Sequence, residues 1–157
     1  MLVFESAGQR YGLDVADIVE VVPAVPLRPL PGTPPIVAGL CRYRGSLMPV
    51  LDVNQMLGGP PAARRYSTRI VVVRYRNQAG AEHLLGLLAE RLDHGIDDAA
   101  GALTAAAVAT PDLPWLCPLA STAGAVTQMV SVDDIVPEPL RNRLFTEADR
   151  KSTRLNS

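Results

Sequence analysis

The stretch Gly39-Leu-Cys-Arg-Tyr-Arg-Gly-Ser-Leu-Met-Pro-Val-Leu-Asp52 decides how this chain folds. Two short apolar runs flank a polar turn. Leu40, Cys41 and Tyr43 belong to the first run, and Leu47, Met48, Val50 and Leu51 to the second. Between them, Gly45 supplies the positive φ that a tight hairpin turn often needs. Pro49 has no N–H to donate, which predicts an edge position or a bulge in the second strand. A hairpin this apolar is marginal in water by itself, so the rest of the chain must cover it. Arg44 is then a cation at a rigid tip, suited to a partner's carboxylate or carbonyl groups. Asp52 closes the stretch and precedes Val53–Leu57, where it is placed to N-cap one helical turn.

Working outward, the composition supports an all-β reading. The chain has 157 residues, 48% of them hydrophobic, which is enough for one folded domain or two small lobes sharing a core. Only 4% are aromatic, so Val, Leu, Ile and Ala must fill the interior. The 14 Pro and 12 Gly fit many short strands and turns better than long helices. Net charge is −1 with acids and bases mixed, so there is no basic field for nucleic acid. The apolar runs are far too short for a membrane span, and Met1-Leu-Val-Phe lacks a basic leader, so neither insertion nor a signal peptide is expected. Cys41 and Cys117 are too few to form a framework and read as reduced, buried thiols.

Met1–Glu5 and Arg10–Val15 read as strands joined by a turn at Ala7-Gly8-Gln9, with Tyr11, Leu13 and Val15 on one face. Asp14 or Asp17 can cap a helical turn through Ile18, after which Val19–Val22 is extended and carries Glu20. Six prolines between Pro23 and Pro35 predict an irregular connector. Gly58–Arg65 reads as a polar, flexible loop. Ser67–Tyr75, with Ile70-Val71-Val72-Val73 apolar on both faces, predicts a central strand. His83–Ala89 is its expected antiparallel partner, and Gly86 marks a bulge or a close backbone approach. Leu92–Asp98 reads as weakly extended and Ala99–Leu113 as mostly loop. Pro114–Leu119 is a short strand or turn, Val126–Val132 the last strand, and Pro139–Asp149 a helix with Leu140, Leu144 and Ala148 on one face. Arg150–Ser157 looks like translated adapter sequence. Without its three bases, the 15 Lys and Arg fall to 12 against 16 acids, a charge of −4.

The familiar catalytic constellations are not found. His83 and His94 form no HxH, HxxxH or CxxC pair, so no metal site is predicted. There is no GxSxG elbow, and Gly58-Gly59 leads into Pro60-Pro61, which makes no phosphate loop. Asp97-Asp98 and Asp133-Asp134 are adjacent pairs whose members would point to opposite faces of a strand, and they read as turn or cap residues. No cofactor and no enzymatic activity are expected. Glu20 and Arg44 admit two readings. They are a surface acid and a turn base worth ~0–1 kcal/mol if paired, or they share a partner-facing surface where charge sets register and specificity.

Phe4, Tyr11-Gly-Leu-Asp-Val15, Val19-Glu20-Val21, Pro34, Gly39-Leu40, Arg44-Gly45 and Pro49-Val50-Leu51-Asp52 together resemble the signature of the CheW chemotaxis adaptor family. Arg69–Val73, Gly86-Leu87-Leu88 and Met129–Val136 extend the similarity, which is weaker between Asp97 and Ala125. Tyr43-Arg44-Gly45, with Ser67-Thr68-Arg69-Ile70, also resembles members acting in Wsp-type pathways. The resemblance implies two five-stranded SH3-like β-barrels around a common core, within a single domain over residues 1–149. It implies a non-enzymatic scaffold linking a chemoreceptor's cytoplasmic tip to the regulatory domain of the histidine kinase CheA, cytoplasmic and recruited to membrane receptor arrays. By position, Val15, Ile18, Glu20 and Gly39 would lie at or near the receptor side, and Arg44 would couple receptor and kinase contacts. Gly45, Pro49 and Asp52 would keep the hairpin's shape. One departure is Ala89-Glu90, where the family often has Val-Asp. A small-ligand-binding β-barrel module or an orphan signalling scaffold are the alternatives, and weak self-association stays open.

Overall fold

Among the described residues, ten strands form two five-stranded sheets, and the order in which the chain visits them explains the shared core. The computed structural model describes residues 1–6, 8–63, 65–77, 80–93, 115–122, 125–141 and 143–145. The expected segments 94–98 and 99–113, position 148 and the tail 150–157 lie outside the described residues. The chain opens with β1 (Leu2–Ser6) and β2 (Gln9–Leu13). It then builds a whole second sheet from β3 (Ile18–Pro23), β4 (Val37–Tyr43), β5 (Ser46–Asp52), β6 (Arg69–Arg76) and β7 (Glu82–Ala89). It returns to the first sheet through β8 (Arg91–Asp93), β9 (Leu116–Thr122) and β10 (Ala125–Val130). The strand orders are β8-β1-β2-β10-β9 and β3-β6-β7-β5-β4. Each sheet contains one parallel pair, β2 with β10 and β5 with β7, and otherwise antiparallel ones.

Period-two side chains divide the second sheet between two cores. On β6, Val71, Val73 and Tyr75 enter the large core, while Ile70 and Val72 enter a smaller one. On β7, Leu85, Leu87 and Ala89 face the large core and Leu88 the small one. The large core also takes Phe4, Tyr11 and Leu13 from the first sheet, together with Trp115 and Val130, so the two sheets share one interior. Phe4 and Tyr11 are register partners whose rings stack at 5.6 Å. Ile70 to Val73 are all fully buried, as a central strand requires. Helical residues 138–141 and 143–145 add Leu140, Leu144 and Phe145 to the large core. Phe145 stacks on both Tyr75 and His83.

The small core is tight. A Cβ on Gly86 would lie 2.9 Å from Ile70 Cγ2 and from Val50 Cγ2, so glycine there is the close backbone approach anticipated. The second sheet also curls. Its end strands β3 and β4 both contribute to the small core, through Val19 and Val22 on one side and Ala38 and Tyr43 on the other.

Three expectations change. Pro49 is not on an edge strand, because β5 lies between β4 and β7, and the register shift in the β4–β5 pairing falls on β4, not at Pro49. Its partner Leu40 exchanges both backbone bonds with Arg28 instead, and pairing to β7 begins only at Val50, so neither neighbour needs a donor from residue 49. Val15 is not on the β2 face. The strand ends at Leu13, and Asp14 caps a 3-10 turn over Val15–Asp17 by accepting from the Ala16 N–H at 2.9 Å. The segment after Gly58 is braced. Asp52 accepts from Ala62 N–H at 2.9 Å, Glu90 from Ala63 N–H at 2.6 Å, and Thr68 from Arg65 N–H at 2.9 Å. Glu90 of the Ala89-Glu90 pair therefore has a structural role here.

Candidate functional site: the Glu20–Tyr43–Arg44 cluster

The curl of the second sheet brings its two end strands together at one charged cluster. Glu20 reaches it because β3 carries a register shift. Ile18 pairs with Val73 and Glu20 with Val72, leaving one extra residue on β3. Ile18 and Val21 therefore both pack on the large core, and Val19 and Val22 both pack on the small one. Uninterrupted alternation would have turned Glu20 toward the large core with Ile18. The extra residue resets the phase and leaves Glu20 outside both cores, exposed.

Arg44 reaches the cluster by turn geometry. Tyr43 and Ser46 are register partners, so the loop has only two residues, with φ +49° at Arg44 and +80° at Gly45. Two positive φ values in a two-residue loop define a type I′ turn, whose twist matches that of the strands. Arg44 is the only non-glycine residue with positive φ among the described residues. Its guanidinium lies 5.1 Å from the centre of the Tyr43 ring and 3.7 Å from Glu20 Oε2, with the Arg44 and Glu20 side chains 65% and 47% exposed.

Tyr43 completes the set. Its ring packs on the small core while its hydroxyl donates to Glu20 Oε2. That hydrogen bond, then burial, raises the Tyr43 phenol above its ordinary range, against the opposing pull of Arg44. The cluster is thus a carboxylate, a phenol and a guanidinium held from three directions. An exposed ion pair is worth ~0–1 kcal/mol and an exposed cation–π contact ~0.5–1 kcal/mol, so an incoming carboxylate can compete for Arg44.

Of the residues expected at the partner surface, Glu20 and Arg44 are brought together. Ile18 is half-buried against the large core. Val15 is 56% exposed on the turn that feeds β3. Gly39, expected at the receptor side, is buried: its φ is +145°, and a Cβ there would sit 2.7 Å from the Arg28 carbonyl oxygen. It lets the connector after β3 lie against β4, where Arg28 and Leu40 bridge, and so shapes the surface from behind. Asp52, 2% exposed, caps α1 (Val53–Met56) by accepting from Gln55 N–H at 3.3 Å. Sequence reasoning places Tyr43 in the first apolar run and in the Tyr43-Arg44-Gly45 motif but gives it no role at the partner surface. The available signal was a ring with a polar tip at the mouth of a charged turn.

The fold belongs to a known class: residues 1–111 match the CheW-like domain, and the chain belongs to that family. It is similar to the chemotaxis protein CheW of Bacillus subtilis (strain 168), with 29% identity over 77 residues, 49% of each chain. The aligned part thus spans about half the length of that curated relative. It is also similar to the crystal structure of the scaffolding protein TtCheW from Thermoanaerobacter tengcongensis, with a TM-score of 0.70 and 26% identity over 84% of this chain and 88% of that one.

Proposed function

We propose that this protein is a non-catalytic adaptor that couples a chemoreceptor's cytoplasmic tip to the regulatory domain of the kinase CheA, with the Glu20–Tyr43–Arg44 cluster facing a partner. The observation that carries this reading is the phase reset on β3, which spends a backbone irregularity to bring Glu20 out beside Arg44. Bulges re-aim side chains, and an exposed pair so weak contributes little to folding. Charges placed this way set orientation and specificity at an interface more than they set affinity. Family membership and the likeness to CheW proteins support the same reading.

Mechanically, the rigid sheets offer a fixed surface, and a partner carboxylate draws Arg44 off Glu20. Tyr43 keeps its hydrogen bond to Glu20 meanwhile, which moderates repulsion between the two acids. Individually modest contacts gain strength when receptor and kinase sites are linked in an array. The test is co-precipitation with a receptor-tip fragment and with a CheA regulatory domain. The adaptor reading expects both to be captured, and Arg44→Ala to weaken capture with the fold intact. Capture of neither overturns it.

A further inference from the structure

A second surface lies beyond the Pro23 end of β3 and shares no residue with the Glu20–Tyr43–Arg44 cluster. There Pro23, Ala24, Arg65, Tyr66, Thr68 and Arg69 line a cleft of about 360 Å³. Tyr66 is fully exposed, at 101%, in a chain that otherwise exposes only Val15 and Val25 among its large apolar side chains in the described residues.

The turn carrying Tyr66 is stiff. Thr68, 1% exposed, accepts from Arg65 N–H and donates to the Ala63 carbonyl at 2.5 Å. Thr68 N–H donates to the Arg65 carbonyl at 3.0 Å, and Ala24 N–H to the Thr68 carbonyl at 3.2 Å. Arg69 Nη1 braces the turn from outside, donating to the carbonyls of Tyr66 and Thr68. The carboxylates beside this segment, Asp52 and Glu90, are committed to the N–H groups of Ala62 and Ala63. The Arg65 guanidinium has no hydrogen bond or ion pair among the described residues, and none of these contacts gives Arg69 a carboxylate.

An exposed tyrosine between two arginines, on a turn already ordered, is the composition of an interface hot spot without the entropy cost of ordering it. Both charges are positive, so the complementary occupant is anionic. The apolar floor of Pro23 and Ala24 and the free Tyr66 ring suit an extended segment that carries an apolar residue between its acids. We propose that this cleft docks an acidic peptide segment of a partner protein, with carboxylates on Arg65 and Arg69 and an apolar side chain against Tyr66. This inference does not rest on the adaptor reading.

The test is fluorescence anisotropy with the full chain and the fluorescein-labelled peptide Glu-Pro-Glu-Glu-Pro-Glu, at about 50 mM salt, where surface charge is weakly screened. Binding is expected, with about tenfold loss for Arg65→Ala, the scale of one charge-assisted contact. Tyr66→Ala is expected to lose about threefold and Tyr66→Phe almost nothing, since the ring and not its hydroxyl makes the contact. Arg91→Ala, an exposed arginine outside both surfaces, should bind like the parent. The proposal is overturned if the matching glutamine peptide binds equally well, or if Arg91→Ala weakens binding as much as Arg65→Ala. A phosphoserine peptide binding more than about tenfold tighter would likewise overturn it, replacing carboxylate by phosphate recognition.

Discussion

The β4–β5 hairpin carries a charged side chain at each end, and the two are used in opposite ways. At the β5 end, Asp52 is 2% exposed and accepts from Gln55 N–H, Gln55 Nε2 and Ala62 N–H. At the turn end, Arg44 is 65% exposed and holds Glu20 at 3.7 Å. The first charge is consumed by the fold and the second is left available. Burial and satisfied donors tell them apart, since a buried group whose partner is removed costs far more than an exposed one.

The largest expected effect follows from that asymmetry. Asp52→Ala strips partners from the cap of α1 and from the buried Ala62 N–H, and should cost about 3 kcal/mol, measured by urea denaturation. A loss below about 1 kcal/mol would erase the contrast between the two ends. Next comes the packing between them: Gly86→Val pushes a branched side chain against Ile70 and Val50 and should cost about 2 kcal/mol or more. A folded variant of parental stability would show that the small core is loose.

Much of this contrast was legible in the sequence. The turn at Gly45, the cap at Asp52, the central strand through Ile70–Val73 and the tight approach at Gly86 all follow from local chemistry. Pro49 misled because a missing donor matters only where a neighbour needs it, and its partner Leu40 had been taken by Arg28. Val15 continued an alternation that Asp14 ended by capping a 3-10 turn. The cluster itself was only half visible. A bulge has no signature in an apolar run, so although Glu20 reads as a surface acid, nothing in Val19-Glu20-Val21 announced the register shift that carries it beside Tyr43 and Arg44. Tyr43 and Glu20 meet only because the sheet curls, which is a property of all five strands.

A smaller effect concerns Asp17, an acid of intermediate kind. Burial raises its pKa, and Asp14 and Asp133 add to the rise, against Arg76 and Arg74. A carboxyl with a raised folded-state pKa favours the fold most while protonated, so stability falls as pH climbs through that value. Asp17→Asn should therefore stabilise the protein at pH 7 by under about 1 kcal/mol, and the gain should vanish near pH 3, where both forms are neutral. Thermal melts at the two pH values check this, and a gain of equal size at both would point to packing instead.

The most direct test of the central claim is a double-mutant cycle on Glu20→Gln and Arg44→Ala, read in parallel by chemical denaturation and by affinity for the receptor-tip fragment and the CheA regulatory domain. The account predicts a folding coupling within about 0.5 kcal/mol of zero, with either single variant weakening partner binding by about fivefold or more. A folding coupling above about 1.5 kcal/mol with partner binding unchanged would contradict it, making the pair a strut of the sheet and not a surface for partners.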